Sequence, residues 1–184
     1  MPVEIRPDTF AMVFFDAAEI RAIVEQLVQQ IGLAADASVT IEVDETTPLG
    51  RAVVASTDPI VITVESGALE DAKSVRQLDP AGTADVLGKL LLSVKDRLDP
   101  AFGDAPADDD LTLQQSAAWE TYCVGRLGRL GHTVQRQRRL YQFRNRHGFT
   151  DAADAAFDNL WTADGLCWAD ISAISDEALA ALPA

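Results

Sequence analysis

Residues 39–64 read VTIEVDETTPLGRAVVASTDPIVITV and contain the sequence pattern from which a β-sheet is predicted. Apolar and polar side chains alternate across residues 39–44, and this period of two is typical of a half-buried strand. Two further β-branched runs follow at residues 51–55 and 60–64, each after a short turn that contains a proline. Short connections between such runs predict a small antiparallel sheet of three strands within residues 38–65.

Helices are predicted on both sides of this sheet in the sequence. Asp16 is placed to cap the start of the first helix, and Gly32 ends it. Apolar residues recur between them at helical spacing, so one face of this helix is buried. A second helix is predicted from Pro80 to Leu98, because proline is favoured at the first helical position and a wide apolar face follows. A small sheet needs a covering layer, and we expect these helices to supply it.

An acidic connection divides the chain into two halves. Residues 99–110 read DPAFGDAPADDD, with two prolines, one glycine and five aspartates, which is typical of an exposed connection. Residues 1–98 form the helix, three strands, helix half, and residues 111–184 are predicted to be mostly helical. The length of 184 residues predicts a single domain over residues 1–184, of the α+β class.

Composition bears on the location of the protein and on its association with membranes. The net charge of −14 opposes general binding to nucleic acid or to anionic membranes. No apolar run approaches the ~20 residues that a membrane-spanning helix needs, and the run Phe10 to Phe15 is too short for a secretory signal. Cys123 and Cys167 lie far apart and suit the reduced thiols of a cytosolic protein. We therefore expect a cytoplasmic protein without membrane association.

The order helix, three strands, helix is similar to the layout of minimal zincin-like metallopeptidases. That family requires the motif H-E-x-x-H on the helix that follows the sheet, because two histidines one turn apart bind the zinc ion. The corresponding helix here reads VLGKLLLSV at residues 86–94 and contains no histidine. The likeness concerns the layout of about half the chain, and it implies a zincin-like scaffold that lacks metal chemistry. We predict no metal and no other cofactor, since the spacing of the two histidines and two cysteines matches no zinc framework.

Two short motifs have both a functional and a structural interpretation. Gly125 and Gly128 form a G-x-x-G pattern that resembles the nucleic-acid clamp of K-homology domains. The same glycines also suit a close contact between helices, and this is the favoured interpretation. Cys123 and His132 are candidates for a nucleophilic dyad, but Cys123 falls on the apolar face of its helix, which favours a buried thiol. No catalytic residue is predicted.

Residues 121–150 contain seven arginines, both histidines of the chain and no acidic residue. The rest of the chain is formally −21, because it carries 8 lysines and arginines against 29 acids. Such segregation predicts an anion-binding strip, since clustered guanidinium groups raise the local potential. Within the strip, residues 133–144 have an ambiguous period, and their β-branched and aromatic content favours a strand.

The arginine-rich segment, residues 126–146, predicts a non-enzymatic interaction or regulatory protein that binds an anionic partner, either an acidic protein surface or nucleic acid. Tyr141 and Phe143 are candidates to stack on bases. The anion-binding residues predicted from the sequence are Arg136, Arg138, Arg139, Arg144 and Arg146. Two alternatives stay open at this point. The arginines could pair with the chain's own acids or support a homo-oligomer, or they could clamp a phosphorylated or carboxylated small molecule in an enzyme.

Overall fold

A computed structural model describes residues 2–34 and 36–181. It separates into two compact units, and the division falls between Lys95 and Asp96. The first unit holds the sheets and the second is helical, so the α+β class and the helical C-terminal half predicted from the sequence are confirmed. That the whole chain forms one domain stays a prediction.

The strands are β1 (Val3–Arg6), β2 (Val39–Asp44), β3 (Ala52–Thr57), β4 (Ile60–Glu65), β5 (Glu70–Asp71) and β6 (Ser74–Leu78). The helices are α1 (Ala17–Ile31), α2 (Pro80–Leu98), α3 (Leu113–Arg129), α4 (Arg136–His147), α5 (Asp151–Thr162) and α6 (Trp168–Ala180). Short 3₁₀ turns occur at Ser66–Ala68 and Asp108–Asp110. Helix α2 runs across the division between the units. No helix in the described part of the chain is both long and apolar enough to cross a bilayer.

The main sheet has four strands in the order β1-β2-β4-β3, and it is mixed. β1, β2 and β4 are parallel, and only β3 runs antiparallel to its neighbour β4. The three strands predicted within residues 38–65 are therefore confirmed as β2, β3 and β4, and the β3–β4 pair is antiparallel as expected. The sheet differs from the prediction in its fourth strand, β1, and in the parallel pairing of β2 with β4. β2 and β4 each bury alternate side chains completely, whereas no residue of β3 is fully buried. The two most apolar strands take the sheltered central positions, and β3 lies at the edge.

Helix α1 begins and ends where its capping residues predict. The Asp16 carboxylate accepts a hydrogen bond from the backbone N–H of Ala18 at 2.8 Å, and Gly32 has the left-handed backbone (φ 72°) that stops the helix. The buried face of α1 comprises Ala17, Ile20, Val24, Leu27, Val28 and Ile31. Together with β2, β4 and α2, this face supplies the core of the first unit. Complete burial of one Ile or Leu side chain stabilises the folded state by about 1.5–3 kcal/mol.

Helix α3 lies at the centre of the second unit and packs against α4, α5 and α6. Thr112 and Gln115 form a reciprocal capping box at its start. Gly125 lies inside this helix, where an added Cβ would come within 2.2 Å of the carbonyl oxygen of Trp161. The close helix contact predicted for Gly125 is thus present. The alternative interpretation of this motif as a nucleic-acid clamp is wrong, because Gly125 and Gly128 both lie within α3 rather than in a loop between helices.

The prediction of a strand at residues 133–144 is also wrong, since Arg136–His147 forms helix α4. Phe143 and His147 are the two buried residues of α4 and lie four positions apart. This is helical spacing, and it places both side chains on the face that packs against the unit. Burial of two large rings therefore outweighs the weak strand preference of the β-branched and aromatic residues in this segment.

The acidic connection is largely exposed, as predicted, but it is anchored at two points. Phe102 is buried and stacks on Trp119 with ring centroids 5.3 Å apart. Arg97 donates hydrogen bonds to the carbonyl of Pro106 at 2.8 Å and to the carboxylate of Asp108 at 2.6 Å. The connection is therefore a fixed part of the second unit.

Candidate interaction surface

Three of the five arginines predicted to bind anions are paired with acids of the second unit. Arg136 contacts Asp158 on α5, and Arg139 donates to Glu120 on α3 at 2.5 Å. Arg144 makes a bidentate contact with Asp154 on α5, through bonds of 2.7 and 2.5 Å to its two carboxylate oxygens. These pairs join α4 to its neighbours. Their role is mainly to orient the helix, because partly exposed ion pairs contribute only about 0–1 kcal/mol each.

The Arg144–Asp154 pair also fixes charge states. The hydrogen bond from Arg144 lowers the pKa of Asp154, although some burial opposes the shift. The hydrogen bond from Asp154 raises the pKa of Arg144. Both groups are therefore charged at neutral pH, and the guanidinium plane is held in one orientation by two parallel bonds.

Two arginines of α4 remain open to solvent. Arg138 and Arg146 are exposed, and neither guanidinium group has a hydrogen bond or ion pair with any residue in the described part of the chain. They lie eight residues apart, which is about 12 Å along a helix. The sequence cannot distinguish these two from the three paired arginines, since the distinction depends on where acids of α3 and α5 lie.

Two exposed aromatic rings, one on α4 and one just past its end, contact each other. Tyr141 is 59% exposed and Phe149 is 63% exposed, and their rings meet edge to face at 5.9 Å. The guanidinium of Arg144 lies 6.0 Å from the ring of Phe149. Large exposed rings in mutual contact are unusual on a solvated surface and typical of recognition sites.

Phe143, the other residue predicted to stack on bases, is not available for that role. It is 1% exposed and stacks on the imidazole of His147 at 3.9 Å. Its other neighbour is Phe157, at 5.8 Å edge to face. The prediction that Phe143 stacks on bases is therefore wrong. Helical spacing places its side chain in the core, whereas Tyr141 is exposed.

The exposed residues of this region form one continuous face, which we call the α4 surface. Those on α4 recur three or four residues apart and so share one side of the helix. Phe149 follows the helix end at Gly148 and adjoins them through its ring contact with Tyr141. The α4 surface consists of Arg138, Tyr141, Gln142, Asn145, Arg146 and Phe149, all of them exposed. It contains two cationic groups, two aromatic rings and two amides, and no carboxylate.

A buried hydrogen bond holds α4 in place beneath this surface. His147 and Ser175 are both 0% exposed, and the imidazole Nε2 lies 2.8 Å from the Ser175 hydroxyl. The imidazole Nδ1 lies 3.2 Å from the carbonyl of Phe143. A carbonyl only accepts, so Nδ1 carries the proton and Nε2 accepts from the serine. This pair is sealed from solvent, and its role is to join α4 to α6.

The remaining arginines of the segment serve the packing of the second unit. The buried carboxylate of Asp96 accepts two bonds from Arg126, at 2.8 and 2.6 Å, and one from the indole N–H of Trp119 at 2.9 Å. Arg126 also lies over the ring of Tyr122, 4.0 Å from its centroid. Arg129 donates to the carbonyls of Trp161 and Ala163 at the end of α5. Sequence patterns do not reveal this network, because Asp96 and Arg126 are 30 residues apart.

The environment of Cys123 does not suit nucleophilic chemistry. Cys123 is 1% exposed, and burial raises the pKa of its thiol to about 12. The thiolate is the reactive form, so a thiol with this pKa is inert at neutral pH. The favoured interpretation of Cys123 as a buried thiol agrees with this environment. Across residues 2–34 and 36–181, no three His, Cys, Asp or Glu side chains are grouped so that they could hold a metal ion.

Comparisons of this chain with models of protein families, with curated proteins and with solved structures find no match.

Proposed function

We propose that this protein binds an acidic segment of a protein partner through the α4 surface and catalyses no reaction there. The observation that carries the proposal is the pair of exposed guanidinium groups, Arg138 and Arg146, which have no partner in the described part of the chain. They share α4 with Tyr141, whose exposed ring meets that of Phe149. Tyrosine and arginine are the residue types enriched where protein interfaces concentrate their binding energy. An anionic partner fits because no carboxylate lies on this surface.

A protein partner is favoured over nucleic acid by the number of free charges. A DNA-binding protein that depends on backbone contacts makes, for example, about 6–10 of them with phosphates. Helix α4 offers two arginines without a side-chain partner among the residues that the structure describes. A short acidic protein segment needs only two or three ion pairs, and it adds apolar contacts that the aromatic pair can use.

The α4 surface is held rigid before binding. The ion pairs of Arg136, Arg139 and Arg144 fix one side of α4, and the His147–Ser175 hydrogen bond fixes its end. A surface that is already ordered loses less conformational entropy when a partner binds. The paired arginines therefore support binding indirectly, and the unpaired ones make the contact.

Fluorescence anisotropy with labelled ligands tests the proposal. The ligands are an acidic amphipathic peptide of about 20 residues, long enough for about 30 Å of helix, its lysine-substituted counterpart and an oligothymidylate of the same length. We expect the acidic peptide to bind at low ionic strength. The double variant Arg138→Ala/Arg146→Ala should weaken this binding at least about tenfold, which corresponds to about 1.4 kcal/mol.

A matched control removes the same charge elsewhere. Arg51 and Lys73 are exposed residues of the first unit, and Arg51→Ala/Lys73→Ala should bind the acidic peptide as the wild type does. Equal loss in both double variants would mean that net charge alone controls binding, and the α4 surface would then have no special role. Tighter binding of the oligothymidylate than of the peptide would overturn the choice of a protein partner.

A further inference from the structure

Helix α6 exposes a face whose charge is opposite to that of the α4 surface. Its exposed residues recur three or four positions apart and so share one side of the helix. This α6 face consists of Ala169, Asp170, Ala173, Asp176, Glu177 and Ala180. It carries three carboxylates and no cation. The alanines leave a flat strip between the acids, against which large side chains of another helix can lie.

The acids of this face are available for an external contact. The carboxylates of Asp176 and Glu177 have no hydrogen bond or ion pair with any residue that the structure describes. Asp170 accepts a bond from the backbone N–H of Cys167 at 3.0 Å and thereby caps its own helix. This bond lowers the pKa of Asp170, so the group is ionised at neutral pH.

The charged residues of the α6 face and of the α4 surface have a similar spacing along their helices. Asp170 and Glu177 are seven residues apart, about 10.5 Å along a helix, and Arg138 and Arg146 are eight apart, about 12 Å. Two helices that cross at a small angle can therefore bring both acids opposite both arginines. The exposed acids of the connection are less suitable, because Asp108 is already engaged by Arg97 and the segment is not a regular helix.

We infer that the acidic segment bound by the α4 surface is the α6 face of a second copy of this chain, so that the protein forms a two-fold symmetric dimer. This inference rests on the proposed function, since it uses the same arginines and rings. α4 and α6 are neighbours within each copy, joined by the His147–Ser175 bond. Each copy thus presents a basic and an acidic helix face, and a two-fold axis lets the α4–α6 contact occur twice.

Sedimentation equilibrium of the full chain tests the dimer. The measurement compares ionic strengths of about 0.1 M and about 1 M, for which the Debye lengths are about 10 and about 3 Å. Beyond these lengths the repulsion between two copies of net charge −14 is largely screened. We expect a dimer at low salt in the micromolar range and at least about tenfold weaker association at high salt, because the contact depends on exposed charges. A monomer at every concentration and at both salts overturns the inference.

Charge reversal tests which faces meet. One variant carries Arg138→Glu/Arg146→Glu, and the other carries Asp176→Lys/Glu177→Lys. Each should be monomeric alone, because like charges then face one another across the axis. An equimolar mixture should form a heterodimer, since both α4–α6 contacts become attractive again. A single chain with all four substitutions should dimerise as the wild type does, and circular dichroism checks that every variant keeps its helical content.

A control variant and the peptide experiment show whether a negative result rejects the dimer, the proposed function or both. Asp8 and Glu25 are exposed acids of the first unit, and Asp8→Lys/Glu25→Lys should leave the dimer intact. A dimer that survives either reversal, or a mixture that stays monomeric, overturns the α4–α6 contact. If the wild type is monomeric but binds the acidic peptide through Arg138 and Arg146, the inference fails and the proposed function stands. If it does neither, both fail.

Discussion

His147 on α4 and Ser175 on α6 form a hydrogen bond of 2.8 Å between two side chains that are both completely buried. The imidazole is satisfied on its other side by the Phe143 carbonyl at 3.2 Å. A buried polar pair is stable only while both partners remain, because a lone group loses its water without replacement. This bond therefore links the position of the α4 surface to the integrity of α6.

Removal of the serine hydroxyl should destabilise the second unit. Ser175→Ala leaves the Nε2 lone pair of His147 buried without a donor, and the expected loss is about 1–3 kcal/mol in the free energy of unfolding. Urea denaturation followed by circular dichroism measures it. The exposed Ser116 supplies the control, since Ser116→Ala should change stability by less than about 0.5 kcal/mol. Equal stability of both variants would mean that the His147–Ser175 bond contributes nothing.

The stability of the protein should fall as the pH is lowered through the histidine range. Burial lowers the pKa of His147 below 6.5, although its bond to the Phe143 carbonyl opposes the shift. The unfolded chain then binds more protons than the folded chain between the lowered pKa and 6.5. The contribution of His147 is complete above about pH 6.5 and is lost as the pH falls below it, with a slope of at most about 1.4 kcal/mol per pH unit.

A comparison with a variant that does not titrate isolates this effect. His147→Gln keeps an amide at the site but has no ionisation in this range, and the carboxylates titrate equally in both proteins. The wild type should therefore lose more stability than His147→Gln between pH 7 and pH 5, as measured by urea denaturation at each pH. Parallel pH profiles for the two proteins would contradict a lowered pKa for His147.

The contact between α3 and α5 should tolerate no side chain at Gly125. An added Cβ would lie 2.2 Å from the backbone oxygen of Trp161, and backbone cannot move aside as a flexible side chain can. Gly125→Ala should cost about 1–3 kcal/mol or more in the free energy of unfolding. At Gly128 the nearest atom is a side-chain methyl of Val134 at 3.0 Å. Gly128→Ala should cost much less, because Val134 can shift and alanine favours the helix by up to about 1 kcal/mol.

The features predicted correctly from the sequence are those with strong local signals. The capping residues Asp16 and Gly32 bracket α1 because both act through their own backbone neighbours. Strand β1 was not predicted, since Ile5 is its only buried residue and a single buried residue produces no alternation. Helix α4 was predicted as a strand because its aromatic content resembles one, and only packing against the unit reveals the spacing of its buried residues.

Only part of the candidate surface could be predicted from the sequence, because the rest depends on how the helices pack. The excess of arginine in residues 121–150 is visible in composition. Two of those arginines lie exposed on α4 without a side-chain partner in the described part of the chain. Which arginines are free depends on Glu120, Asp154 and Asp158, which lie 10 to 22 positions away from their partners. Sequence spacing contains no information about such pairs, because they form only when α3, α4 and α5 pack together.

The buried pair of Asp96 and Arg126 should be the most sensitive polar contact of the second unit. Arg126→Met removes both charged bonds to the carboxylate and leaves a buried charge that keeps the Trp119 N–H and the weak Cys123 thiol as neutral donors. Breaking such a pair costs about 3–5 kcal/mol in the free energy of unfolding. Arg138→Met is the control and should cost less than about 0.5 kcal/mol, because the Arg138 guanidinium is exposed and has no partner among the described residues.

A second substitution shows whether the cost comes from the stranded charge. The double variant Asp96→Asn/Arg126→Met replaces the carboxylate with a neutral amide whose oxygen can still accept the bond from Trp119. Its stability, measured by urea denaturation, should recover at least half of the loss seen in Arg126→Met, because a neutral buried amide is far less costly than an uncompensated carboxylate. A double variant no more stable than Arg126→Met would assign the loss to packing of the arginine side chain on Tyr122 instead of to charge.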